Sequence, residues 1–457
     1  MRQFSILPSG THTVHRFGVM SEAVKSSESN FTPGNLSTFL WAQKSGYLRA
    51  VGEGETQKDV WTISMGNEAG GLFLDLARSF TRILMTLDLD SLASAIAYAW
   101  YSTRHLGQPT VPLLQTPRED ISLRAENLYA LEFGGVDPAH LLTGDELAPD
   151  SPPAVKYALL DHNTLTGRFA ADDNACVVAI VDHHVDEGHH LDASPRIVEV
   201  PTGSCSSLVA RLIQKEWPKG MSRAVARLLL CAVLSDTSGL KAGGKAEVTD
   251  RQVAAFLLEK AELASESIAG DVHDVKEARE LTQILATRKS SVDFLSPRDL
   301  LRRDYKEYRF VPAWKAEGTI LVGLASVPRS IKAISGEDQN GGKEVATAWT
   351  AWLKERGLDA LGVLTTWKDE KKGKHRRGMG WVIRNDRELK QHLWKGLEGS
   401  KELELERKEG SKYIVGMEEA VGRDLKVRVY AQRNTQATRK VTAPLVKAII
   451  EAAATNK

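Results

Sequence analysis

The 457-residue sequence predicts an α/β protein: a doubly wound parallel-sheet domain followed by a smaller domain of mixed α/β structure. Three observations lead there. Apolar runs bounded by polar residues, such as VVAIV from Val177 to Val181, suit strands buried on both faces of a parallel sheet. A chain of this length with 42% hydrophobic residues exceeds the usual size of one domain. The formal charge of +1 conceals a division, with a net −9 over residues 1–290 and +10 over 291–457. An acidic unit suited to cations therefore precedes a basic unit suited to an anion.

Residues 1–34 are expected to be a disordered tail. The first twenty carry Arg2 and Arg16 and no acid, a pattern shared with transit peptides, but lack the apolar core of a secretory signal. A start at Met20 is the other reading. The first domain, 35–255, opens with a strand in VWTISMGN, ending at Asn67. The stretch LDLDSLASAIAYAW follows as a helix that Asp90 or Ser91 would cap. YALLDHN and VVAIVDHH read as strands, Ser206 to Gln214 as a helix, and RLLLCAVLSDTSG as a further strand-like run ending in Asp236. Residues 256–290 are charged and helix-prone and are expected to form a helical linker. In the second domain, 291–457, TILVGLASV, ALGVLTTW, GMGWVIRN and LKVRVYAQ are strand candidates. Residues 400–409 are read as a solvated helix or loop, and KKGKHRR at 371–377 as a solvated hairpin loop.

No apolar run approaches the roughly 20 residues that span a bilayer, so no membrane partner is expected. The three cysteines, Cys176, Cys205 and Cys231, lack metal-ligand spacing and sit beside apolar or small-residue runs. They are read as buried thiols in a reducing, cytoplasmic compartment.

Four stations of acid or imidazole stand at the ends of these elements. They are Asp88 and Asp90, then Asp161-His162-Asn163, then Asp182-His183-His184, then Asp236. Ligands of an open parallel sheet bind outside the carboxyl ends of its strands, so these groups should converge. Carboxylates crowded together repel one another unless cations lie between them. Oxygen and imidazole ligands suit Mn²⁺, Mg²⁺, Co²⁺ or Zn²⁺, and a pair of such ions is the economical arrangement for phosphoryl transfer. His189-His190, without an evident partner, is read as an exposed loop.

The stretch AIVDHHVDEG resembles the Asp-His-His signature of the DHH phosphoesterase superfamily, and LLDHN, DLDSLASAIAYA and LSDTSGLK resemble its other motifs. The preceding GNEA is similar to eukaryotic exopolyphosphatases and their Prune relatives; bacterial pyrophosphatases have a histidine where Asn67 stands. The resemblance covers roughly residues 35–455, including a C-terminal part that looks like the DHHA2 domain. It implies Asp88 on one metal, Asp90 on the other, Asp161 bridging them, and His183 and Asp236 as further ligands. Asp182 would orient a histidine, His184 would face phosphate as a donor, and His162 and Asn163 would line the mouth. LRRDY and ATRK resemble phosphate-clamping segments, which makes Arg303, Lys306, Arg439 and Lys440 the substrate-binding candidates. Arg302 and Arg329 are read equally well as ordinary surface bases.

The implied activity is hydrolysis of phosphoanhydrides by two divalent ions, Mn²⁺ foremost with Mg²⁺ or Co²⁺ as alternatives. The expected substrate is inorganic polyphosphate, attacked at its end. Pyrophosphate and short-chain or nucleoside polyphosphates are the alternatives, and a catalytically weakened scaffold is the reading from another class. Nucleic acid is not expected, because KKGKHRR has no interleaved aromatics. The sequence departs from the resembled pattern at residues 71–87, GLFLDLARSFTRILMTL, whose excision would restore GNEAGDLDS. A gene-model error and a true insertion both fit. The insertion separates Asn67 from Asp88 and leaves open whether Asn67 reaches a metal.

Overall fold

A computed structural model of the chain describes residues 35–53, 60–67, 83–84, 88–147, 156–264, 271–315, 317–369 and 373–452. The expected tail and most of the 71–87 stretch lie outside them. The strands are β1 Thr62–Gly66, β2 Ile83–Leu84, β3 Thr110–Leu114, β4 Leu142–Thr143, β5 Lys156–Leu160, β6 Cys176–Asp182, β7 Arg196–Val198, β8 Tyr305–Phe310, β9 Ile320–Val327, β10 Ala360–Lys368, β11 His375–Arg384, β12 Leu405–Lys408 and β13 Leu425–Gln432. The helices are α1 Asn35–Glu53, α2 Leu89–Arg104, α3 Ala125–Phe133, α4 Cys205–Glu216, α5 Arg223–Asp236, α6 Val248–Lys260, α7 Lys276–Ser290, α8 Pro297–Arg302, α9 Ile331–Ile334, α10 Gln339–Glu355, α11 Arg387–Glu398, α12 Lys412–Ala420 and α13 Arg439–Glu451.

The first sheet has six parallel strands in the order β4-β3-β1-β5-β6-β7. From β1 the chain goes first to β3 and β4 on one side, then returns to β5, β6 and β7 on the other. The order therefore reverses between β1 and β5, and a crevice opens there at the carboxyl ends of the strands. One face packs against α2 and α4, through residues such as Ile96 and Leu208, and α5 and α6 form a layer behind them with Leu229 and Leu257 in the same core. On the other face, Tyr47 of α1 packs with Ile63, Val111 and Tyr157.

Two elements differ from the sequence reading. RLLLCAVL is the buried helix α5 rather than a strand. A wholly apolar run shows no periodicity that separates a buried helix from a buried strand, and here its length of 14 residues decides. The residues expected as a linker contribute Leu257, Leu258, Leu281 and Leu285 to the same core as α2 and α5. Cys176 is exposed at the start of β6, against the expectation that all three thiols are buried; Cys205 and Cys231 are buried.

The second sheet is mixed, in the order β12-β13-β11-β10-β9-β8-β2, with β9 and β10 parallel and the other pairs antiparallel. Trp349 and Val345 of α10 cover one face and Leu393 of α11 with Val446 of α13 the other. All four strand candidates of this half appear as β9, β10, β11 and β13. The 400–409 stretch supplies β12, and His375 to Arg377 belong to β11, so both solvated stretches are partly strand. β2, inside the 71–87 stretch, pairs at the edge of this sheet, with Ile83 opposite Lys306 and Leu84 opposite Tyr305.

Candidate metal centre

The crevice is built from the start of α2 and the ends of β5 and β6. Asp88 is the N-cap of α2, accepting from the Ser91 amide at 2.9 Å. Asp90 and Ser91, the expected caps, instead lie inside the first turn, where Asp90 is buried and faces the start of α4. Its Oδ1 accepts from the Ser206 amide at 2.7 Å and the Ser204 hydroxyl at 2.8 Å, and its Oδ2 accepts from the Cys205 amide at 2.7 Å. The amino end of a helix favours a carboxylate in this way. Burial opposes ionisation of Asp90, yet His183 and the hydrogen bonds from Ser206, Asp236 and Ser204 hold its pKa below the ordinary value.

Asp161, the first residue after β5, adopts a left-handed backbone with φ 67°. That conformation is uncommon outside glycine, though Asp and Asn adopt it more readily than most residues. Its Oδ2 accepts from Ser91 Oγ at 2.7 Å. Its Oδ1 is buried without a hydrogen-bond partner and lies 3.1 Å from His183 Nε2 and 3.6 Å from His184 Nδ1. Burial, reinforced by Asp90 and Asp88, pushes the Asp161 carboxyl well above the usual carboxylate range. Asp236, at the end of α5, is raised by burial and the same two acids, and shares a hydrogen bond with Asp90.

His183 passes its Nδ1 to the Thr202 carbonyl at 3.0 Å, so its Nε2 faces Asp161 and, at 3.9 Å, Asp90. Asp182 is fully buried and holds His184 through Oδ1 to Nδ1 at 2.8 Å. Burial alone would raise Asp182, but the hydrogen bonds from His184 and Asn163 keep it low. The Asp182 bond in turn raises the pKa of His184, against the effect of burial. Asn163, expected to line the mouth, is instead a buried strut: Nδ2 donates to Asp182 Oδ2 at 2.5 Å and Oδ1 accepts the Glu187 amide at 2.9 Å. His162 is half-buried, bonded through Nδ1 to the Leu160 carbonyl at 2.9 Å, and burial lowers its pKa. His190, read as loop, accepts the Leu165 amide through Nε2 at 3.3 Å.

The end of β1 reaches the same place despite the 71–87 stretch. A Cβ added to Gly66 would sit 2.5 Å from Ser91 Cβ, so the residue before Asn67 touches the first turn of α2. Two further groups hold the site together: Asp250, which carries no sequence signal, and Ser91, which the sequence marked only as a cap. Asp250, fully buried, accepts the Gly203 amide at 2.8 Å and Ser207 Oγ at 2.6 Å, locking the turn that supplies both the Thr202 carbonyl and the amides on Asp90. Ser91 links Asp88 to Asp161. The bonds from Asp250 to Gly203 and Ser207 and from Ser91 to Asp161 span more than forty residues, which no local pattern records.

The donor set suits a hard or borderline divalent cation. Ligand atoms of Asp161, His183 and His184 lie within 4.8 Å of one another. Asp161 Oδ1, buried without a hydrogen bond among the described residues, and the raised carboxyls mark a place where clustered carboxylates would be favoured by a bound cation.

The basic candidates divide. Lys306 on β8 lies near Arg439 and Lys440 at the start of α13. Burial, aided by those two charges, lowers its pKa to about 8. Arg439 is paired with Asp304 at 2.6 Å. Arg303 is turned elsewhere: its guanidinium donates to the carbonyls of Leu123 at 3.2 Å and Lys289 at 2.9 Å and lies 3.8 Å from the buried Glu126 carboxylate. Arg302 is buried and pairs with Asp120 and Glu119, while Arg329 pairs with Asp293 at the surface.

Residues 82–233 match the DHH family N-terminal domain and residues 283–449 match the DHHA2 domain. The chain carries a DHH domain followed by a DHHA2 domain. It is 33% identical over 234 residues to a Schizosaccharomyces pombe protein named "Putative exopolyphosphatase", covering 48% of this chain and 58% of that one. It is 29% identical over 225 residues to Exopolyphosphatase PRUNE1 of Rattus norvegicus, covering 48% and 47%. Over 178 residues it is 33% identical to a Streptococcus pyogenes protein named "Probable manganese-dependent inorganic pyrophosphatase", covering 38% and 53%. The chain thus spans about half the length of the curated relatives it matches. Among the described residues of this DHH–DHHA2 chain, no helix is long and apolar enough to cross a membrane.

Proposed function

We propose that the protein hydrolyses phosphoanhydride bonds with the aid of two divalent ions, Mn²⁺ foremost, releasing orthophosphate from the end of inorganic polyphosphate. The observation that carries this is the left-handed, buried Asp161 between His183 and the acids at the start of α2. Asp88, Asp90, Asp161, His183 and Asp236 would hold the ions. Bound there, divalent ions lower the pKa of water and offset charge that develops on phosphoryl oxygens. The His183 Nδ1 bond to Thr202 keeps Nε2 available as a ligand atom. Asp182 fixes His184 and favours its protonated form, so His184 can present an N–H to a phosphoryl oxygen. His162 would flank the opening, while Asn163 holds Asp182 in place.

Lys306, Arg439 and Lys440 would bind the phosphate chain. Arg303, committed to backbone carbonyls, would instead fasten the DHHA2 domain to the DHH domain. A second reading, pyrophosphate as substrate, is favoured by the pyrophosphatase relative. The contact between Gly66 and Ser91 weakens the scaffold reading, since the two parts of the interrupted motif still meet. Free thiols among the cysteines support a cytoplasmic location.

The test is Mn²⁺-dependent phosphate release from long-chain polyphosphate and from pyrophosphate, for the parent chain and Asp236→Asn. We expect release in the parent and at least a hundredfold loss in the variant, with the fold intact by circular dichroism. A variant as active as the parent would refute the assigned ligand set.

A further inference from the structure

A cleft of about 600 Å³ opens away from the carboxylates, at the other end of the DHHA2 sheet, among α11, β12, α12 and β13. Four strand spacings separate β13 from β8, which carries Lys306. At ~4.8 Å per spacing the two places are roughly 19 Å apart. The cleft exists because β12 is short. It pairs with β13 only from Val429 to Gln432, whereas β11 pairs along β13 from Leu425 to Gln432. Among the described residues, 425–428 are therefore a bare sheet edge, and the cleft lies beside it.

Four cations from three elements line it: Lys390 of α11, Arg407 of β12, and Lys426 and Arg428 two residues apart on β13. Glu418 is the one acidic side chain in the lining. Arg428 lies 4.7 Å over the Trp394 ring and pairs with Glu398 at 2.7 Å, which holds its guanidinium in a fixed plane. Arg407 pairs with the exposed Glu409 at 2.7 Å. Such exposed pairs are weak and can be exchanged for a better anion. Lys390 donates to Asn385 Oδ1 at 2.5 Å, and neither it nor Lys426 makes an ion pair among the described residues.

We propose that this cleft is a second anion site, separate from the hydrolytic centre, that binds a short inorganic phosphate chain. Its volume suits a small ligand. Arginine forks and lysine point charges together suit the dense negative charge of a phosphate chain, and screening by salt should weaken the site. A bare edge could also receive an extended acidic peptide as an added strand. Lys390 and Lys426, which make no ion pair among the described residues, beside Arg407 and Arg428, whose acid partners Glu409 and Glu398 are exposed, favour the phosphate chain, since strand addition requires no such charge.

The experiment is calorimetric titration of tripolyphosphate, without divalent metal, into the full chain carrying Asp236→Asn to prevent turnover. The same titration is made with Lys390→Ala and Lys426→Ala added, and separately with Lys306→Ala and Lys440→Ala added. We expect two equivalents bound in the starting chain, with each pair of substitutions weakening a different one at least tenfold and leaving the melting temperature unchanged. An isotherm unaffected by Lys390→Ala and Lys426→Ala would overturn the proposal. So would a cleft that binds an oligoglutamate peptide but not tripolyphosphate. Because binding is the readout, failure of the unmodified chain to release phosphate would overturn the proposed activity and leave this result standing.

Discussion

Asp250 touches none of the groups assigned to the ions, yet the turn it secures supplies the carbonyl behind His183 and the amides on Asp90. Asp250→Ala should lower the affinity for activating Mn²⁺ by about 10–100-fold, the usual effect of losing a group that orients metal ligands. Activity at saturating metal should fall much less, and an unchanged Mn²⁺ activation curve would refute this role. Lys306 sets a second expectation. Its pKa of about 8 lies below the ordinary lysine value because burial and the Arg439 and Lys440 charges disfavour its cation. The free protein loses that charge as pH rises through about 8, so kcat/KM for an anionic chain should decline above it. Lys306→Arg, which stays charged, should shift that decline to higher pH; identical profiles would exclude Lys306 from binding.

At the scale of elements, the site depends on close approach between β1 and α2. A side chain at position 66 would meet the Ser91 backbone oxygen at 2.8 Å and carbon at 2.9 Å, which a rotamer change cannot relieve. Gly66→Val should therefore destabilise the protein by about 1–3 kcal/mol. It should also push Ser91 away from Asp161, so chemical denaturation and phosphate release should both report the damage. Denaturation matching the parent would contradict the contact. Most of the elements that frame the site were legible as local patterns: β1, β5 and β6 are short strand-like runs, and α2 was expected as a helix, though its cap is Asp88 and not Asp90 or Ser91. α5 was not, because a helix buried on all sides carries no polar face to set its period. Burial among α2, α4, α6 and α7 is a tertiary fact.

For the whole molecule, the question is what joins the two domains. Arg302 and Asp120 form a buried pair across them, and Arg303 adds a bond to the Leu123 carbonyl. Burial outweighs Arg302 and raises Asp120 to about 6, above its ordinary 3.8. The contribution of Asp120 to stability is therefore present at low pH and is lost as pH rises through about 6. Arg302→Met leaves that carboxylate without its partner, with an expected cost of up to about 3–5 kcal/mol at neutral pH. The loss should shrink below pH 6, where Asp120 takes up a proton, and Asp120→Asn should restore much of it. Equal destabilisation at pH 5 and pH 8 would show that the pair is not the source. By itself the sequence determined most of the kinds of element, α5 and β12 excepted, the division of charge between the domains and the residues bearing acid or imidazole, because local periodicity and composition encode these. Only the tertiary structure decided that Arg303 turns to backbone carbonyls, that Asn163 and Asp250 work as buried struts, and that β1 and α2 meet despite the 71–87 stretch between them. Those outcomes depend on which acceptors and surfaces distant segments bring together, and no local pattern records that.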